Sequence, residues 1–247
     1  MRPAAVGFQC PDDVAAANAG VRGARPGTGL RQAARRWGTV TLTLIGVNVG
    51  MFLLTAVLTG IGGQDPLANY RNELFQQLAQ VPVLVAAGDW WRPVTAAFLH
   101  YGVVHLALNM LSLLIFGSEL ERLLGRGRYL TVYLVSIVGG AAAIQLLGDP
   151  FGQVAGASTA IYGLMGAFGV VLVHQKQDLR GLLTLLAINL VVSFLPGVSL
   201  VGHLGGLVAG AATAAVLLAG RRRRALAVGG VGMLVAVLLV LVYAGVG

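Results

Sequence analysis

Gly156-Ala157-Ser158-Thr159-Ala160-Ile161-Tyr162-Gly163-Leu164-Met165-Gly166-Ala167-Phe168-Gly169-Val170-Val171-Leu172-Val173 carries no charged residue and, past its first turn, almost no polar one. Such a run reads as a helix in lipid, and Gly163, Gly166 and Gly169 thin it so that neighbouring backbones can approach. At 1.5 Å per residue, Ser158 to Val173 covers about 24 Å of a bilayer core that is about 30 Å thick. If its far end is level with His174 and Lys176, Ser158 starts several ångströms below the membrane boundary. Irregular backbone at that depth, as residues 151–157 require, is tolerated only where protein buries it or water reaches it. A water-accessible cavity at the Ser158 end is therefore predicted.

Outward from this stretch, apolar runs recur near residues 39–60, 101–118, 129–147, 182–195, 199–219 and 225–243, which gives seven spans in all. The chain is 57% hydrophobic and 11% charged, with a mean hydropathy of +0.81. These values lie outside the soluble globular range and predict an all-α, polytopic membrane protein. Of its 17 Lys and Arg residues, only Arg71 and Arg92 fall in segments on the outer side when the N-terminus is placed inside. The positive-inside rule then selects a cytoplasmic N-terminus and an external C-terminus.

The net charge of +8 does not indicate nucleic acid, because the basic residues cluster beside the spans. Topology and contact with anionic lipid explain them, and Arg221 to Arg224 reads as an anchor between two spans. Residues 1–36 are rich in Ala, Gly, Pro and Arg without apolar periodicity, and read as a disordered cytoplasmic tail with no signal-peptide core. Cys10 is the only cysteine, so the chain holds no internal disulfide and no cysteine zinc site. In the loop before the second span, Leu74, Phe75, Leu78 and Val81 recur at helical spacing and predict an interfacial amphipathic helix. Trp90 and Trp91 close that loop as headgroup-level anchors. His100 and His174 are expected at the interface, without a role.

Few polar groups remain inside the spans. Ser158, His105, Asn109 and His203 are costly in lipid unless they face one another or water, and so mark a functional site. The second, fourth and sixth spans run in one direction, and His105, Ser158 and His203 all lie near their starts, at one depth. Asn109 follows His105 by four residues and shares its helix face. Gly202, Gly206 and Gly210 form a small-xxx-small ladder on the sixth span, with His203 beside it, which brings that span close to its neighbour. A histidine within reach of a serine hydroxyl takes its proton during attack, so His203 is the expected base for Ser158. The Ser158 backbone N–H, Asn109 and His105 are the expected donors to an oxyanion. No carboxylate lies at matching depth, which favours a Ser-His dyad needing neither metal nor cofactor. A competing reading, His105 and His203 as axial haem ligands, leaves Ser158 and Asn109 idle.

These residues resemble the rhomboid family of intramembrane serine proteases over roughly residues 91–210. Trp91-Arg92 resembles the family's loop signature. His100, His105 and Asn109 resemble its His-x4-His-x3-Asn segment, and Glu121 its acidic residue at the inner end of that span. Gly156-Ala157-Ser158 resembles the nucleophile motif, and His203-Leu204-Gly205-Gly206 the histidine motif. The resemblance implies Ser158 as nucleophile, His203 as base, His105 and Asn109 on the oxyanion side, and Tyr162 stacked on the catalytic histidine. It also implies Gly206 and Gly210 at close-packing positions.

By the same resemblance the fold is a rhomboid-like bundle of six core transmembrane helices plus one C-terminal helix. The implied domains are a tail at 1–36, a catalytic domain at 37–220 and a basic anchor with the seventh span at 221–247. Implied partners are single-pass transmembrane substrates with small side chains before the cut, alongside membrane lipids and without nucleic acid. The abundance of arginine, alanine and glycine suggests a high-GC bacterial source, and hence a bacterial cytoplasmic membrane. Thr159 departs from the glycine usual after the nucleophile, and adds β-branched bulk there. An inactive scaffold that binds transmembrane clients is the alternative that this departure supports. Val6 to Pro11 resembles the end of a small zinc module, but Asp13 stands where its second cysteine would be.

Overall fold

The structure, a computed structural model, describes residues 2–3, 8–9, 29–192 and 198–244. Cys10, Asp13 and the Pro196-Gly197 end of the fifth expected span lie outside the described residues. The chain divides into two compact units, Met1–Arg36 and Trp37–Gly247. In the first, the described elements are an antiparallel pair, β1 (Arg2–Pro3) with β2 (Phe8–Gln9), and most of helix α1 (Gly29–Trp37).

In the second unit every named element among the described residues is a helix, with one isolated bridge between Gln80 and Val154 besides. Helix α2 (Thr39–Ile61) is followed by a 3-10 turn (Pro66–Arg71) and the short helices α3 (Glu73–Leu78), α4 (Pro82–Ala86) and α5 (Arg92–Thr95). Helix α6 (Gly102–Leu124) contains a π turn at Leu113–Gly117. Then come α7 (Arg126–Leu147), α8 (Ser158–His174), α9 (Arg180–Val192), α10 (Leu200–Ala219) and α11 (Arg224–Ala244). Five helices are long and apolar enough to cross a membrane, namely α2, α6, α7, α10 and α11, and two shorter apolar helices, α8 and α9, accompany them. The protein is thus a multi-pass membrane bundle.

At the centre, α7, α8 and α10 pack most extensively. In lipid this association depends on close packing, since lipid tails are as apolar as leucine. A methyl group at Gly206 would strike the Thr159 carbonyl, and one at Gly210 the Gly163 carbonyl. Gly202 instead meets Ile144 of α7. The ladder foreseen in the sequence therefore divides between two partners.

Helix α2 is joined at both ends by polar contacts. Glu121 of α6 accepts from the N–H groups of Val40 and Thr41, at 3.1 and 2.8 Å, and from Thr41 Oγ1 at 3.0 Å. It thereby supplies the carboxylate that a helix N-terminus favours. At the other end, Asn69 and Asn72 donate to Thr55 and Thr59, which line one face of α2.

Two expectations are corrected in the connection between α2 and α6. The helix expected at the interface is α3, and its Phe75 is fully buried against Leu99 and Ala155 inside the protein. His100, expected at the interface, is also fully buried. In both cases the chain turns the side chain in against the bundle, while Leu67, Val83 and Leu84 of the same connection stay exposed. Trp90 is 68% exposed.

Candidate active site

Ser158 is the first residue of α8, and His203 lies in the first turn of α10. Because a methyl at Gly206 does not fit against the Thr159 carbonyl, the two helices meet there backbone to backbone, next to Ser158 on one helix and a turn beyond His203 on the other. Ser158 Oγ lies 2.8 Å from His203 Nε2. The Tyr162 ring stacks on the imidazole, with centroids 4.1 Å apart and planes 13° apart. A helix turn separates Ser158 from Tyr162, so one face of α8 presents both to His203. A hydroxyl in this position can pass its proton to the imidazole.

His105 lies in the first turn of α6. The backbone N–H of Tyr101 donates to His105 Nδ1 at 3.3 Å. In the neutral ring the proton then resides on Nε2, which makes that atom a donor. The Tyr101 ring lies parallel to the imidazole at 6.1 Å, and His100 approaches it edge-on at 5.2 Å. Gly156, with φ of +139°, separates His105 from Ser158. A Cβ on it would sit 3.0 Å from His105 Nε2 and 3.5 Å from Ser158 Oγ. The missing side chain keeps open the space onto which both atoms border.

Asn109 is buried one turn further along α6, and its amide donates to the His105 carbonyl at 2.9 Å. One of its N–H bonds is thus spent inside the helix, and its Oδ1 is buried without a hydrogen-bond partner among the described residues. The structure brings Ser158, His203 and Tyr162 into direct contact, and His105 to the edge of the same space. Gly202, Gly206 and Gly210 act one layer behind, on the packing.

Thr159 does not crowd Ser158. Its side chain points at α7, where a Cβ on Gly140 would lie 2.7 Å from Thr159 Cβ. The bulk added after the serine occupies the space that Gly140 leaves.

Periodicity gave no sign of the residues that hold the loop before Ser158. Gln80 forms a two-way antiparallel bridge with Val154, at 3.0 and 2.8 Å. The Gly156 N–H donates to the Ala96 carbonyl at 2.9 Å, and Tyr101 Oη donates to the Gln153 carbonyl at 3.0 Å. Gln153 in turn donates to Gln76 at 2.7 Å. Arg92 is buried beneath, paired with Asp89 at 2.6 Å, and donates to the carbonyls of Gln76 and Ala79 at 2.6 and 2.8 Å. It satisfies carbonyls at the end of α3 that the helix leaves free. Of this scaffold, the sequence had marked only Trp91-Arg92 and Gly156.

Comparison with known proteins matches residues 87–220 to the Rhomboid domain model. The chain is 35% identical over 185 residues to rhomboid protease GluP of Bacillus subtilis (strain 168), covering 72% of this chain and 35% of that protein. It is 34% identical over 211 residues to RHOMBOID-like protein 6, mitochondrial, of Arabidopsis thaliana, covering 72% of this chain and 68% of that protein. To rhomboid protease AarA of Providencia stuartii it is 28% identical over 201 residues, covering 70% of each. The chain therefore spans about a third of the first relative and about two thirds of the other two.

Proposed function

This chain belongs to the rhomboid family, and from that premise we propose that it is an intramembrane serine endopeptidase. Ser158 is the nucleophile and His203 the base of a two-residue centre. Ser158 Oγ attacks the scissile carbonyl while His203 Nε2 takes its proton. The same proton passes to the leaving amine as the C–N bond breaks, which leaves an ester on Ser158. Water, deprotonated by His203, cleaves that ester and regenerates the hydroxyl. The oxyanion forms in the space beside Gly156, with donors from His105 Nε2, the Ser158 backbone N–H at the start of α8, and an N–H of Asn109. Tyr162 holds the His203 ring in plane.

The observation that carries this reading is the 2.8 Å approach of Ser158 Oγ to His203 Nε2. The substrates are single-pass membrane proteins, cut in or beside their transmembrane segments. Seven crossings, six in the catalytic bundle and one from α11, with the N-terminus cytoplasmic, complete the proposal; the membrane is a bacterial cytoplasmic one.

Fluorophosphonate labelling of the purified chain, Ser158→Ala and His203→Ala tests it. Labelling of the native protein alone, matched by cleavage of a model transmembrane substrate by that protein alone, is expected. Equal labelling of all three proteins refutes the pair. A native protein that neither takes the label nor cleaves any transmembrane substrate favours a client-binding scaffold.

A further inference from the structure

A cleft of about 430 Å³ opens between the loop that leads into α8 and the start of α10. Its walls include Asp149 and Gln153 on one side and Ser199 and Val201 on the other, with Ile144 and Leu147 of α7 as an apolar floor. The walls are continuous with the segments bearing Ser158 and His203, so a polypeptide that reaches this pair lays the residues next to its scissile bond in the cleft. That placement rests on the proposed peptidase activity.

The polar groups of the cleft are mostly engaged. Ser199 Oγ accepts from the Gly202 N–H at 3.1 Å, and Gln153 is tied to Gln76. Among the described residues, Asp149 is the only charged side chain lining it. One carboxylate oxygen accepts from the Phe151 N–H at 3.0 Å, within the turn that Asp149 itself begins, and the other is uncommitted among the described residues. The connections at this end of the bundle carry Asp65, Glu73, Asp89 and Asp149 against Arg71 and Arg92, and Arg92 is already paired with Asp89.

We infer that Asp149 is a specificity-determining residue, and that the enzyme favours substrates with a Lys or Arg within a few residues of the cut. The aliphatic stem of such a side chain lies along Ile144 and Leu147, and its charged head reaches the open oxygen of Asp149. An acidic residue at the same substrate position meets repulsion.

The test uses the full-length protein and Asp149→Asn, each in phosphatidylcholine vesicles so that anionic lipid does not compete for the basic residue. Asparagine keeps an oxygen for the Phe151 N–H and removes only the charge. One model transmembrane substrate carries Lys, Gln or Glu in turn at each position flanking the cut, and kcat/KM is measured for each. At one position the native protein is expected to favour Lys over Gln about fivefold, the discrimination that a solvent-accessible ion pair supports, and to disfavour Glu. The preference collapses in Asp149→Asn and at high salt. Identical Lys, Gln and Glu profiles for the two proteins, while both cleave and both take the fluorophosphonate label, overturn the role of Asp149 and leave the peptidase reading intact. A native protein that neither labels nor cleaves any substrate overturns both.

Discussion

Gly156 is the residue on which the proposed oxyanion space depends, because its φ of +139° and its missing Cβ are both used. Gly156→Ala places a methyl between His105 and Ser158 in a backbone region that alanine rarely adopts. Turnover of a model transmembrane substrate is expected to fall about a hundredfold, the scale of losing one oxyanion donor. His100 offers a pH test at the same scale. Burial, with a smaller contribution from nearby His105, lowers its pKa to about 3. In the unfolded chain it takes up a proton near about 6.5, so between those values the unfolded state holds more protons and stability falls as pH falls. Thermal unfolding at pH 7 and pH 4 is expected to show a smaller acid destabilisation for His100→Gln than for the native protein. Equal slopes would show that His100 pays no charging cost in the fold.

Among the helices, the α8–α10 contact sets the Ser158–His203 distance. Gly206→Val forces a branched side chain against the Thr159 carbonyl, and Gly210→Val one against the Gly163 carbonyl. Each is expected to lose about 1–3 kcal/mol or more in detergent unfolding, together with fluorophosphonate labelling, because the helices must separate. Gly229 of α11 has open space where its Cβ would be. Gly229→Val is the control, expected to unfold and label as the native protein does. Helix α3 acts differently, through its free carbonyls: Arg92 holds them, and the adjoining Gln80 bridges to Val154. The backbone before Ser158 thus gains partners that no membrane could supply.

For the molecule as a whole, the distribution of charge predicts its orientation. Basic residues gather at the ends of the helices away from Ser158, and the end with the Asp149 cleft is acidic. Because Cys10 is the only cysteine, the chain carries its own topological label. A membrane-impermeant maleimide is expected to modify Cys10 in inverted membrane vesicles and not in intact cells. The reverse pattern would invert the orientation and place the cleft on the cytoplasmic side.

The sequence by itself determined the helical membrane class, because charge-free runs of spanning length have no alternative in lipid but to satisfy their backbone as helices. It also singled out Ser158, His203, His105 and Asn109, since polar side chains are rare and costly in such runs. Only the tertiary structure decided that Thr159 fits against Gly140, that Phe75 and His100 turn inward, and that Gln80, Tyr101 and Arg92 secure the loop before Ser158. Those outcomes depend on which surfaces meet across long separations in the chain. Loop residues, having no lipid-facing periodicity, carry no local record of the partners they find.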